Sequence, residues 1–210
     1  MPDIAQYLHI FVTIFSILNP LGLIPIFLSI TADESSDEKR RTITKMLIAV
    51  IVILLVSAYL GNYLLAFFGI NIDSFRVAGG ILLLLMAIHM LQAKMPPTKT
   101  SKAEENEAVQ KEDVSVVPLA IPLTAGPGTI STVILFSSNT NTLVDQIALG
   151  IIILLSALTI WPILMLAESI GKYLGATGLN VATRIMGLIL AAIAVQFIIE
   201  GILNFVKTAL

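Results

Sequence analysis

Two short strings bring backbone chemistry into otherwise apolar stretches: Asn19-Pro20-Leu21-Gly22, followed by Pro25, and Thr124-Ala125-Gly126-Pro127-Gly128-Thr129, preceded by Pro118 and Pro122. Proline has no N–H, so Pro20 and Pro25 leave the Ser16 and Leu21 carbonyls without their helical donors. Pro118, Pro122 and Pro127 do the same to Val114, Pro118 and Leu123. A half-helix restarting after each break presents N–H groups at Gly22, Leu23 and Ile24, or at Gly128, Thr129 and Ile130, with a partial positive charge that suits a carboxylate or phosphate. The half-helix before each break ends in carbonyls near Leu18 and Ala125, which suit an ammonium group, a proton-bearing group or a small cation. A zwitterion satisfies both kinds of end, and Asn19, Thr124 and Thr129 add side-chain hydrogen bonds. Prolines also kink packed membrane helices with no ligand involved.

Other polar residues in apolar surroundings are few. Arg76 and Arg184 suit either snorkelling anchors or a gate, with Asp73 and Glu168 as conceivable partners. Gln196 and Glu200 share a helix face at i, i+4 spacing, and Glu200 suits either a proton-coupling site or a hydrated interfacial carboxylate. His89 reads as a headgroup-level residue, and Gly79, Gly80 and Gly187 as points of close helix packing. The only histidines are His9 and His89, there is no cysteine, and no nucleophile stands beside a base. The expectation is therefore no enzyme, no metal site and no cofactor, with a proton or sodium ion as the coupling ion if there is one.

The elements that must position these residues are membrane helices. Of 210 residues, 57% are hydrophobic and 12% charged, well above the usual apolar share of a soluble domain. Stretches free of Asp, Glu, Lys and Arg run over 4–32, 46–72, 114–144 and 146–167, each exceeding the roughly 20 residues that cross a hydrocarbon core. Two shorter apolar runs, 77–93 and 185–199, become long enough once their flanks snorkel. Six helical spans are predicted, over 8–30, 46–68, 74–91, 114–138, 147–166 and 185–203. Met1-Pro2-Asp3 lacks the basic start of a secretory signal, so the first span is expected to be retained.

Loop charges orient the spans. One side holds Lys39, Arg40, Arg41, Lys45, Lys94, Lys99, Lys102, Lys111, Lys172 and Arg184, and the other only Arg76 and Lys207. The positive-inside rule then puts both termini outside a cell inner membrane. Residues 94–113, with Pro96-Pro97 and mixed charges, read as a cytoplasmic tether between a first unit, 1–93, and a second, 114–210.

The two units repeat one another. Asn19-Pro20-Leu21-Gly22 matches Gly126-Pro127-Gly128-Thr129, and Gly61-Asn62-Tyr63-Leu64 with Gly69 matches Gly171-Lys172-Tyr173-Leu174 with Gly178. Phe75-Arg76-Val77-Ala78-Gly79 matches Thr183-Arg184-Ile185-Met186-Gly187, and all three pairs lie 107 to 110 positions apart. Three spans per unit is an odd number, so the second unit is expected to be inverted. The fold class expected is an all-α membrane protein of two inverted three-helix repeats, broken at mid-membrane in spans one and four.

These motifs, with Ile24-Pro25-Ile26-Phe27, Val77-Ala78-Gly79-Gly80 and Val117-Pro118-Leu119-Ala120-Ile121-Pro122-Leu123, resemble the MarC family over nearly the whole chain. One branch of that family consists of small neutral amino acid transporters, so the resemblance implies a glycine- or alanine-like substrate. It carries binding positions only onto Asn19–Gly22 and Ala125–Thr129. The reading is a secondary transporter working by alternating access, with the bilayer and a small neutral amino acid as partners, no nucleic acid, and self-association left open. An exporter of amphipathic drugs would need a wider aromatic pocket than Gly, Ala and Thr supply, and a non-transporting scaffold would leave the paired breaks without a ligand.

Overall fold

A computed structural model describes residues 4–32, 34–92, 119–120, 124–140 and 142–209. The tether 94–113 and the positions Val114, Pro118, Pro122 and Leu123 lie outside the described residues. Every regular element among the described residues is helical: α1 (Ile4–Leu18), α2 (Pro20–Ile30), α3 (Ser36–Phe67), α4 (Ile72–Leu91), α5 (Pro127–Ser138), α6 (Leu143–Leu158), α7 (Ile160–Met165) and α8 (Ala167–Ala209). Five stretches are long and apolar enough to span a bilayer, namely Ile4–Ile30, Ser36–Phe67, Ile72–Leu91, Leu143–Met165 and Ala167–Lys207. Of the predicted span 114–138, α5 and residues 119–120 and 124–126 are described.

Two predicted boundaries are corrected. The helix that carries the second span begins at Ser36 rather than 46, because a capping box starts it in the charged segment: the Ser35 N–H donates to Glu38 Oε2 at 2.8 Å, and the Glu38 N–H donates to Ser35 Oγ at 3.4 Å. With 32 residues, α3 is about 48 Å long, well beyond a ~30 Å hydrocarbon core. The last span belongs to α8, which starts at Ala167 and bends at Gly175 (φ 62°). Absence of charge marks the part of a helix that lipid can surround, whereas Lys, Arg and Glu extend a helix readily.

Gly69, also left-handed (φ 65°), closes α3 with a Schellman turn in which the Ile70 N–H reaches the Leu65 carbonyl at 2.9 Å. The sequence pairs Gly69 with Gly178, yet the second left-handed glycine is Gly175 and Gly178 is helical.

One buried cluster joins α1, α2, α3, α6 and α7 through residues such as Ile14, Ile24, Val50, Leu54, Ile153 and Ile160. A second joins α4 and α8 to α5 through Leu83, Ala87, Leu135, Leu190 and Ala194. Along the α4–α8 seam a Cβ built on Gly187 would lie 2.9 Å from Met90 Cβ and 3.2 Å from the Ala87 carbonyl oxygen. Lipid tails are as apolar as the side chains they would replace, so this association depends on close packing of small residues.

At the end carrying Lys39, Arg40 and Arg41, α3 is tied to α8 by an ion pair between Lys39 Nζ and Glu168 Oε1 at 2.6 Å. Glu168 remains 58% exposed, so the pair is screened. Lys39→Gln is expected to leave the unfolding temperature of the purified protein nearly unchanged, and a clear drop in thermal unfolding would show that the pair matters more.

Candidate functional site

Asn19 stands between α1 and α2 in the left-handed conformation (φ 45°, ψ 57°), the only non-glycine residue with positive φ among those described. The sequence explains why: Pro20 disfavours right-handed helical geometry in the residue before it, and asparagine tolerates the left-handed region better than most residues. Asn19 also caps the helix it precedes. The Gly22 N–H donates to Asn19 Oδ1 at 3.3 Å and the Leu23 N–H to the Asn19 carbonyl at 3.3 Å. The expectation of unsatisfied N–H groups at Gly22 and Leu23 is thereby corrected, because the break supplies its own acceptors. A Cβ on Gly22 would collide with the Asn19 side-chain amide. Pro20 is buried and Leu21 and Gly22 are half-buried.

The second string is arranged differently. The Ala125 N–H donates to the Ala120 carbonyl at 2.8 Å, a wide turn of the π type. Gly126 (φ −80°, ψ 176°) is the extended residue before α5, which starts at Pro127 without a side-chain cap. Of the N–H groups expected to be free, that of Ile130 donates to the Gly126 carbonyl at 3.0 Å. The Thr124 hydroxyl donates to the Leu119 carbonyl at 2.8 Å and the Thr129 hydroxyl to the Thr124 carbonyl at 2.9 Å, so both donor hydrogens expected to serve a ligand are engaged by backbone. Thr124, Ala125, Gly128 and Thr129 are buried, while Pro127 is exposed.

A cavity of about 700 Å³ opens at the end of the bundle opposite Lys39 and Glu168, and neither proline string lines it. Its polar wall brings together Tyr7, Arg76, Asn139, Asp145 and Glu200 from α1, α4, the α5–α6 connection, α6 and α8. Arg76 Nη1 lies 3.1 Å from Glu200 Oε2, and Arg76 Nη2 lies 3.5 Å from Asn139 Oδ1. Gln196 Nε2 donates to the other Glu200 oxygen at 2.9 Å. Across the cavity the Tyr7 hydroxyl donates to Asp145 Oδ1 at 3.3 Å and the Thr142 hydroxyl to Asp145 Oδ2 at 2.8 Å. Phe136 meets His9 and Phe197 edge-on, with ring centroids 6.4 and 6.3 Å apart.

Arg76 and Glu200, singled out separately in the sequence, are thus partners. Neither Asp73 nor Glu168 pairs with either arginine: Glu168 is taken by Lys39, and Arg184 is exposed with no ion pair among the described residues. Arg184 also lies at the other end from Arg76, since the nearby Gly187 packs on Met90 and Leu91 at the far end of α4. Asp145 and Tyr7 escaped the sequence reading. The signal for Asp145 was the Thr142-Leu143-Val144-Asp145 cap pattern, whose Asp145 N–H donates to Thr142 Oγ1 at 3.1 Å. Two buried hydroxyls below the cavity, Thr13 Oγ1 on α1 and Ser156 Oγ on α6, have no hydrogen-bond partner among the described residues.

The model of the MarC family integral membrane proteins matches residues 4–206. The chain belongs to the MarC family. This MarC family member is 39% identical over 200 residues to the UPF0056 membrane protein YhcE of Escherichia coli, covering 95% of this chain and 93% of that one. A UPF0056 membrane protein of Methanocaldococcus jannaschii is 41% identical over 198 residues, covering 94% and 87%, and one of Buchnera aphidicola from Schizaphis graminum 40% over 202 residues, covering 96% and 94%. No solved structure matches the chain. Family and apolar helices together make this an integral, multi-pass membrane protein.

Proposed function

We propose that this MarC family member is a secondary transporter that moves small neutral amino acids across the inner membrane by alternating access. The observation that carries this reading is the pair of helix starts at Pro20 and Pro127, 107 positions apart, each preceded by a residue outside the helix, Asn19 or Gly126. At α5 the N-terminal dipole has no side-chain cap, which favours a substrate carboxylate near Gly128 and Thr129. The carbonyls of Ser16 and Leu18 favour the ammonium group: Pro20 has no hydrogen to give the first, and the Gly22 N–H is turned to Asn19. No ionised side chain stands in either string.

Two inverted halves, 1–93 and 114–210, joined by 94–113 and with both termini outside, give this site its alternating access. Packing partners support that arrangement, because exchanging the halves returns the same pairs: α2 against α7 becomes α5 against α3, α2 against α8 becomes α5 against α4, and α4 against α8 maps on itself. Purified protein in liposomes should take up labelled glycine and alanine saturably, tested with and without pH and sodium gradients. Flux confined to a panel of amphipathic drugs would overturn the proposal.

A further inference from the structure

We propose that the cavity walled by Arg76, Asp145 and Glu200 is an outer capture site for an α-amino zwitterion, with Arg76 taking the carboxylate and the two acids the ammonium. The proposal rests on the transport reading and places a second station on its path, away from the helix junctions.

The charge distribution selects the ligand class. A simple anion would meet Arg76 but also two carboxylates, and a simple cation would meet the carboxylates but also the guanidinium. A zwitterion pairs with both signs and leaves neither exposed to its like. The groups are held in advance, since Glu200 is oriented by Gln196 and Asp145 by Tyr7 and Thr142. Arg76 is only 11% exposed, yet a guanidinium has five donors and the two recorded acceptors, one at 3.1 Å and one at 3.5 Å, leave it capacity for a carboxylate.

Position supports capture rather than final binding. The cavity is also lined by Ile10, Phe136, Leu149 and Phe197, and Phe136 meets the rings of His9 and Phe197 edge-on. From Ile10 to Asn19 is about 13 Å along α1. Between them lies Thr13, and on the adjoining α6 lies Ser156, the two buried hydroxyls without partners among the described residues. Buried polar atoms are nearly always paired, so two orphans on the two helices that lead inward mark the route a polar solute follows. Arg76 also links α4 to Glu200 on α8, so a carboxylate on its remaining donors sits at the contact between these two helices.

The absence of cysteine makes the test direct. A Thr140→Cys variant of the full chain, with its single thiol on the cavity wall, is labelled with a maleimide in the presence of alanine, acetate or methylammonium. Alanine is expected to slow labelling several-fold, and acetate and methylammonium at equal concentration to leave it unchanged. In proteoliposomes Arg76→Gln should raise KM for alanine flux about tenfold or more, with Arg76→Lys falling between it and the parent. Labelling indifferent to alanine, equal protection by acetate, or an unchanged KM in a folded Arg76→Gln protein would overturn the capture site. Protection without flux in the parent would instead leave capture standing and remove the transport reading. Should Arg76→Gln fail to fold, the labelling of Thr140→Cys in the otherwise unaltered chain still decides.

Discussion

An Asn19→Ala/Pro20→Ala double variant is expected to be at least as stable as the parent and to have lost amino acid transport. Pro20 denies Ser16 a hydrogen-bond donor and holds Asn19 out of the right-handed region, so the junction exists because of these two side chains. With alanine at both positions, α1 and α2 can run on as one helix. Proline costs about 3 kcal/mol in a helix interior but almost nothing at the first helical position, where Pro20 stands, so the double variant removes the bar to a continuous helix. A restored N–H for the Ser16 carbonyl and release of the left-handed residue 19 then offset the roughly 1 kcal/mol lost with the Asn19 cap. The net sign favours the unbroken helix, and with it the polar junction disappears. A structural disturbance of the ordinary kind lowers stability and activity together; here they should move in opposite directions. Thermal unfolding and alanine flux on the same preparation measure both. Asn19→Gly is the control, because glycine accepts the left-handed conformation and loses only the cap, so flux should be retained in part. Parental flux in the double variant would separate the junction from the substrate path.

The contrast between this junction and the cavity at Arg76 explains what the sequence could disclose. Proline acts on its own carbonyl partner and on the preceding residue, so the departure from helix at Asn19 is written within a few positions. Membrane helices are legible for a similar reason, since 20 uncharged residues state their solvent directly. Their ends are not, because the Ser35–Glu38 box starts α3 in a segment that charge alone assigns to a loop. The loop glycines mislead in another way: Gly69 and Gly178 align as letters, while the turn in the second half is made at Gly175, a choice set by where α8 must bend.

The cavity lies at the other extreme. Arg76 and Glu200 are 124 positions apart, and Tyr7 and Asp145 138 apart. None of these contacts has a local signature, and each residue alone reads equally well as an interfacial anchor. Asp73, three positions from Arg76, is the acid nearest to it along the chain, and nothing local points past it. Only the antiparallel pairing of α4 with α8 brings Glu200 to Arg76.

That pairing is where the largest loss of stability is expected. Gly80 faces α8 so closely that a Cβ there would lie 2.7 Å from Ile198 Cγ1 and 2.9 Å from the Ala194 carbonyl oxygen. The second neighbour is backbone, which cannot rotate out of the way as the end of a side chain can. Gly201 is in the same position from the other side, with a built Cβ 2.8 Å from the Asp73 carbonyl oxygen. Gly80→Leu must therefore push the helices apart along the seam from Gly201 to Gly187, and overpacking of this kind costs about 1–3 kcal/mol or more. Nothing compensates, because apolar surface released from the seam meets lipid and gains no hydrophobic penalty that would drive reclosure. Gly80→Leu should unfold at clearly lower temperature than the parent, with Gly80→Ala between them, while Ile81→Leu, one residue on at a 48% exposed position, should match the parent. The same separation would pull Glu200 from Arg76, so loss of alanine protection at Thr140→Cys in the Gly80→Ala background would follow from the geometry of the seam. Equal stability of Gly80→Leu and Ile81→Leu would mean that α4 and α8 do not meet at this face.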